Sequence, residues 1–292
     1  MTTSNRPKRL FVRLLLLATL ALPSLPALAQ TVPTDAAYDL PRQSDGRTST
    51  RICRSSMFAI GTSDMLDTYL SAEKYKGTQL RYICEVQKTT RLKNVEQTLL
   101  TEGLLDNVNN RADNNDEMGG LFNFEYHLRG RWHLSPTLTL EAGGGIGTRL
   151  GFLYNTRNSN NPAQAYASLQ LLPSAAATKH LRLFARNAFL RYEISAPIVG
   201  LMFSPNYGQS YYEIFSLGNY DRNIVPTTVA NAPSLRHMLT FDFQLRKRKP
   251  LSTLRIGYLG DYQQAEVNHL KQHRYNHMFV IGFTKRFNLP KL

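Results

Sequence analysis

The chain has 292 residues, of which 35 are basic and 21 acidic, for a formal charge of +14, and only two are cysteines. Such a length holds one large all-β domain or two smaller ones, and with 18 glycines and 14 prolines the chain is neither collagen-like nor of low complexity. A basic balance of this size points to nucleic acid in a cytosolic chain, but the N-terminus speaks for export.

Arg6, Lys8, Arg9 and Arg13 precede an apolar run, Leu14 to Leu22, and then the small-residue site Ala27-Leu28-Ala29. This is the order of a secretory signal peptide, so residues 1–29 are expected to be cleaved. Pro23 and Pro26 break the run far short of the roughly 20 residues that a spanning helix needs, and no later stretch is long and uncharged enough. Cys53 lies too far from the cleavage site to be a lipid-anchored N-terminus. Residues 30–47 are expected as a flexible periplasmic segment, 48–287 as an outer-membrane barrel and 288–292 as a C-terminal tail.

The barrel expectation rests on alternation, apolar toward lipid and polar toward the lumen. Phe122, Phe124, Tyr126, Leu128, Trp132 and Leu134 share one face, opposite Asn123, Glu125, His127, Arg129, Arg131 and His133. After Ser135-Pro136 the pattern resumes, with Leu138, Leu140, Ile146, Leu150, Phe152 and Tyr154 opposite Thr139, Glu141 and Arg149. That run is too long for a soluble sandwich strand of five or six residues. Leu239, Phe241 and Phe243, then Leu254, Ile256 and Tyr258, and finally the strand ending near Phe287 continue the theme. Ten strands are expected near 48–61, 78–92, 95–108, 119–134, 137–155, 163–173, 180–196, 235–247, 252–264 and 275–287. Short turns at 93–95, 135–136, 174–179 and 248–251 would face inward. Longer connections at 62–77, 109–118, 156–162, 197–234 and 265–274 would face outward. The alternative is twelve strands, the extra two being Ile198 to Phe203 and Tyr211 to Leu217.

Several stretches carry a resemblance: Leu66 to Leu70 with Tyr75-Lys76-Gly77-Thr78, Asn158 to Gln164, Phe203 to Phe215 and Pro233 to Thr240. Over roughly residues 55–285 the chain resembles an outer-membrane barrel family of unknown function from Bacteroidota. The resemblance implies an exported barrel and transfers no catalytic residue.

No catalytic constellation emerges, so a non-enzymatic barrel without a cofactor is expected. His133-Leu134-Ser135 sits at an inner turn, the wrong end for an outer-rim lipid hydrolase. His269, His273 and His277 are spaced by four, but Lys271 and Arg274 among them would repel a metal, and the segment passes from loop into strand. Tyr207, Tyr211, Tyr212 and Tyr220 crowd the longest outer connection and are the candidate contacts for a surface glycan or protein; the competing reading packs that loop on the barrel mouth. The basic run Arg246 to Lys249 is read as solvated, while rim cations would meet lipid phosphates. Other expected partners are outer-membrane lipids and the barrel assembly machinery, with no nucleic acid. Lumen charges must pair, and the 119–155 hairpin sets Glu141 opposite Arg131 or Arg129. A hairpin register summing to 137 would set Cys53 opposite Cys84, on the lipid side and within disulfide reach. Two functions follow: a filled surface barrel, structural or binding through its outer loops, and a narrow diffusion pore or transport component. An envelope hydrolase is a third, lacking its triad.

Overall fold

Period-two alternation points every second apolar side chain at one face, and backbone donors in a membrane then find partners only on flanking strands of a closed sheet. The computed structural model describes residues 49–92, 94–159, 161–184, 186–245 and 252–290. Residues 1–48, with the expected leader and N-terminal segment, lie outside the described residues, as do the basic run 246–250 and residues 291–292. The strands are β1 (Ser49–Asp67), β2 (Tyr75–Thr89), β3 (Val95–Asn110), β4 (Asp116–Ser135), β5 (Leu138–Asn155), β6 (Ala163–Leu183), β7 (Arg186–Ser195), β8 (Val199–Phe203), β9 (Ile224–Thr228), β10 (Ser234–Gln244), β11 (Ser252–Val267) and β12 (Leu270–Pro290). One short helix, α1 (Tyr211–Phe215), lies between β8 and β9.

Ten strands close an all-β antiparallel barrel in the order β1-β2-β3-β4-β5-β6-β7-β10-β11-β12, with β12 pairing back on β1 from Asp67↔Gln272 to Ser49↔Pro290. The remaining pair, β8 and β9, is a hairpin beside the wall: β6 pairs with β8 up to Leu171 and with β7 from Ser174. Of the two extra strands, Ile198 to Phe203 forms β8, but Tyr211 to Leu217 opens with a helix. The reason is a capping box: Ser210 Oγ accepts from the Glu213 N–H, and the Glu213 carboxylate accepts from the Ser210 N–H.

Two expected connections are corrected. β6 runs through 174–179 to Leu183, and Pro173 marks the point where β6 changes partner between β8 and β7, a break that tolerates a missing donor. The 265–274 connection shrinks to Asn268-His269, both at positive φ (51° and 62°), as a two-residue hairpin turn needs.

β1, β4, β6 and β12 are 19–21 residues long, about twice what one membrane crossing needs. The outward face of the wall is an apolar band that includes Phe58, Ile60, Phe122, Trp132, Ile146, Leu150, Phe279, Ile281 and Phe283, all exposed. Tyr192, His237, Tyr258, Tyr262, Tyr275 and His277 make a chain of ring contacts around the same outer wall, an aromatic girdle.

Candidate functional site: the filled lumen and its lid

The lumen is built on one asymmetry between neighbouring strands. β4 points Glu125, His127 and Arg129 inward, and the residues facing them on β5 are Gly147, Gly145 and Gly143. A Cβ on Gly145 would sit 2.7 Å from His127 Nδ1 and collide with the Tyr126 carbonyl, so glycine there is the condition for the bulky row beside it. The freed space is filled with charge. Arg129 donates to Glu193 at 2.6 Å, Arg81 to Asp261 at 2.8 Å, Arg236 to Glu102 at 2.6 Å, and Arg255 to both Asp242 oxygens at 2.6 and 2.8 Å. All eight side chains are buried, and an ion pair taken out of water holds only with such close, multiple bonds. Met57, Ile83, Leu100, Met238, Leu259, Met278 and Val280 pack an apolar cluster beside them.

Arg131 and Glu141 face each other across β4–β5 and form an ion pair at 3.1 Å, with Arg191 reaching the other Glu141 oxygen at 2.8 Å. Arg129 does not meet Glu141; it crosses to Glu193 on β7, where Arg191 also binds at 3.1 Å. The cysteines do not meet either. The β1–β2 register sums to 140, not 137, because the turn is 68–74 rather than 62–77, so Cys53 faces Gln87 and Cys84 faces Ser56. Three residues of slip invert the face. Cys53 looks into the lumen, Cys84 toward lipid, and both thiols are free.

At the long-loop end the mouth carries a lid. Leu70, Met65, Tyr75, Val108 and Leu153 form a second buried cluster against Tyr69 and Tyr166. Segment 204–223 is wired by its own amides: Asn223 donates to Gln209 Oε1 at 2.8 Å, Asn206 to the Asp221 carbonyl at 2.7 Å, and Gln209 to the Asn219 carbonyl at 2.9 Å. It is fastened to the barrel by Asn268, which donates to the carbonyls of Ser204 and Arg222 at 3.1 Å each, and by Tyr69, which donates to the Gln209 carbonyl at 3.1 Å. The Tyr211 hydroxyl donates to Gln164 Oε1 at 2.6 Å and accepts from the Ala165 N–H at 2.7 Å. Burial, then the charge of Asp67, push the Tyr69 phenol up to about 12, and burial raises Tyr211 as well. The Ser210 N–H lowers the half-buried Glu213 carboxylate.

Of the four candidate tyrosines, Tyr211 is therefore lid structure, while Tyr207, Tyr212 and Tyr220 are 64–75 % exposed. His133 Nδ1 lies 3.0 Å from Thr139 Oγ1, and Ser135 Oγ accepts from the Leu138 N–H, so both belong to the β4–β5 turn. His273 and His277 lie on β12, where His273 Nε2 is 3.2 Å from Asp64 and His277 Nδ1 is 2.6 Å from the Tyr258 hydroxyl; His269 is in the turn. Tyr69 and Gln209 lie in stretches that carry the family resemblance, though nothing in the sequence marks their part in the lid, and Asn223 and Asn268 lie outside those stretches. The adjacent Asn268-His269 pair is the one local signal that marks any of them.

Among solved structures, the outer membrane protease OmpT from Escherichia coli is similar at 9% identity and a TM-score of 0.43, covering 84% of this chain and 99% of that one. The transport unit of the autotransporter AIDA-I from Escherichia coli follows at 8% and 0.38, covering 87% and 94%. The COG4313 outer membrane channel from Pseudomonas putida F1 is similar at 10% and 0.34, covering 88% and 100%. Likeness at this level transfers no activity, substrate or partner. No curated protein matches the chain. The family model described as protein of unknown function (DUF3316) matches residues 12–291, and the chain belongs to that family.

Proposed function

We propose that this protein is a non-enzymatic barrel of the bacterial outer membrane, with a closed lumen, that meets an envelope glycan or partner protein through its long-loop end. Bacteroidota is the group whose barrels its loop motifs resemble. The observation that carries the reading is the packing of the lumen by ion pairs that cross it, beneath a hydrogen-bonded lid. A barrel of ten strands is only slightly wider than the eight-stranded kind that side chains fill, and here the side chains are long. This weighs against a diffusion pore. The hydrolase alternative lacks support for the same reason as before: the His-x-Ser pair is occupied in a turn at the short-loop end.

Contact with a partner would fall to Tyr207, Tyr212, Phe215 and Tyr220, large exposed faces on a segment held rigid from below. A photo-crosslinking amino acid placed at 212 or 220 in living cells tests this. Discrete adducts from these positions, absent when the same group replaces lipid-facing Phe279, are expected. No adduct from either position would overturn the binding role.

A further inference from the structure

We propose that the long-loop half of the lumen contains an oxyanion site, built on Arg149 and suited to a phosphate-bearing group. A cavity of 70 Å³ lies there, lined by Arg149, Arg274, Tyr166, Ser168, Gln170 and Gln263 among others. It has room for more than one water-sized body. No aspartate or glutamate lines it, although carboxylates are abundant elsewhere in the lumen. Two guanidiniums with uncharged hydroxyl and amide donors are the chemistry that holds a tetrahedral anion.

Arg149 is the decisive residue. It is 8 % exposed, yet among the described residues its guanidinium has neither a hydrogen-bond partner nor an ion pair. Every other well-buried lumen arginine of the long-loop half is engaged: Arg81 and Arg236 bind carboxylates, and Arg274 stands 3.6 Å from Asp106. Arg149 lies within electrostatic reach of Glu125 and Asp261, but these already take hydrogen bonds from Asn123 and from Arg81 and Gln263. Five N–H donors thus face a cavity and are free to bind whatever acceptor enters it. Arg274 is held in place for the same anion, its guanidinium 5.4 Å above the Tyr166 ring, while the Tyr166 hydroxyl donates to Asp67 at 2.6 Å. The site is separate from the exposed rim tyrosines and stands whether or not these bind a partner.

The same phosphate chemistry has two sources, a soluble phosphate ester or a lipid headgroup, and titration calorimetry on the folded full chain separates them. In detergent, inorganic phosphate and glucose 1-phosphate are titrated, with glucose as the uncharged control. In the second arm, the protein sits in nanodiscs with or without phosphatidic acid, and its thermal unfolding is followed. Saturable binding of the soluble phosphates, or stabilisation by phosphatidic acid alone, supports the site and names its source. In either arm Arg149→Gln is expected to weaken the effect at least tenfold, and Lys271→Gln, at an exposed position on β12, to leave it unchanged. Arg149→Lys keeps the charge but loses the fork, and carries the test at intermediate affinity if the glutamine variant does not fold. No effect in either arm, or equal affinity in wild type and both Arg149 variants, overturns the proposal.

Discussion

Arg236 on β10 donates to Glu102 on β3 at 2.6 Å, and those strands are five places apart in the ten-stranded ring, so this single ion pair spans the barrel's diameter. Arg81 reaches the other oxygen of the same carboxylate at 3.4 Å, and Asn123 joins it at 3.0 Å. One glutamate is thereby the junction of four strands.

Removing one end of such a pair leaves the other charge buried without its closest partner. Arg236→Ala is expected to cost about 3–5 kcal/mol, and the double change Arg236→Leu with Glu102→Leu to recover most of it. Denaturant unfolding of the refolded barrel measures both. Equal losses for the single and double variants would show that the pair contributes little to the fold.

Glycine on β5 is a steric requirement at 145. Gly145→Val is expected to displace His127 and lower the yield of folded barrel, seen as a loss of the fast-migrating form in unheated gels. The same change at Gly103, on the outward face of β3, where an added Cβ meets nothing within 4 Å, is the control and leaves the yield unchanged.

The thiols offer a register test. Cys84 faces Ser56 directly, and either kind of antiparallel pair brings Cα atoms within disulfide range. Mild oxidation is expected to cross-link Ser56→Cys to Cys84 and to leave Cys53 free in the wild type. A Cys53–Cys84 bond found by non-reducing mass spectrometry would refute the 140 register.

The lid has its own pH dependence. The Tyr69 and Tyr211 phenols are raised in the fold above their ordinary value near 10, so their contribution is complete below that pH and is lost as pH rises through the folded values, about 12 for Tyr69. Protease cleavage within 204–223 is expected to rise between pH 10 and 12 while the barrel stays folded. Tyr211→Phe, which loses two hydrogen bonds, should bring cleavage at neutral pH, with a local cost of about 1–3 kcal/mol.

The barrel was legible because β4, β5, β10 and β11 alternate cleanly, and their inward faces carry the charges seen paired in the lumen. β3 read poorly for a physical reason: its inward face mixes Leu100, Leu104 and Val108 with Glu96, Glu102 and Asp106, since a filled lumen needs both kinds of side chain. Local signals also set Glu141 opposite Arg131 or Arg129, and the ladder pairs it with Arg131. These signals could not supply the partner of Arg129, Glu193, which lies three strands round the ring on β7, because contacts across a lumen leave no trace in periodicity. The cysteine register failed on turn length alone. The β1–β2 ladder closes at Met65↔Tyr75 and leaves nine residues, 66–74, between them, and alternation by itself fixes a strand's face but not where its hairpin closes.

Single-channel recording of the purified barrel in a planar bilayer tests the filled lumen most directly. Arg236–Glu102 across the diameter and the lid over the mouth predict no stable openings for the wild type, with leak appearing in Arg236→Ala. Stable, large wild-type openings at modest voltage would contradict the closed-lumen account.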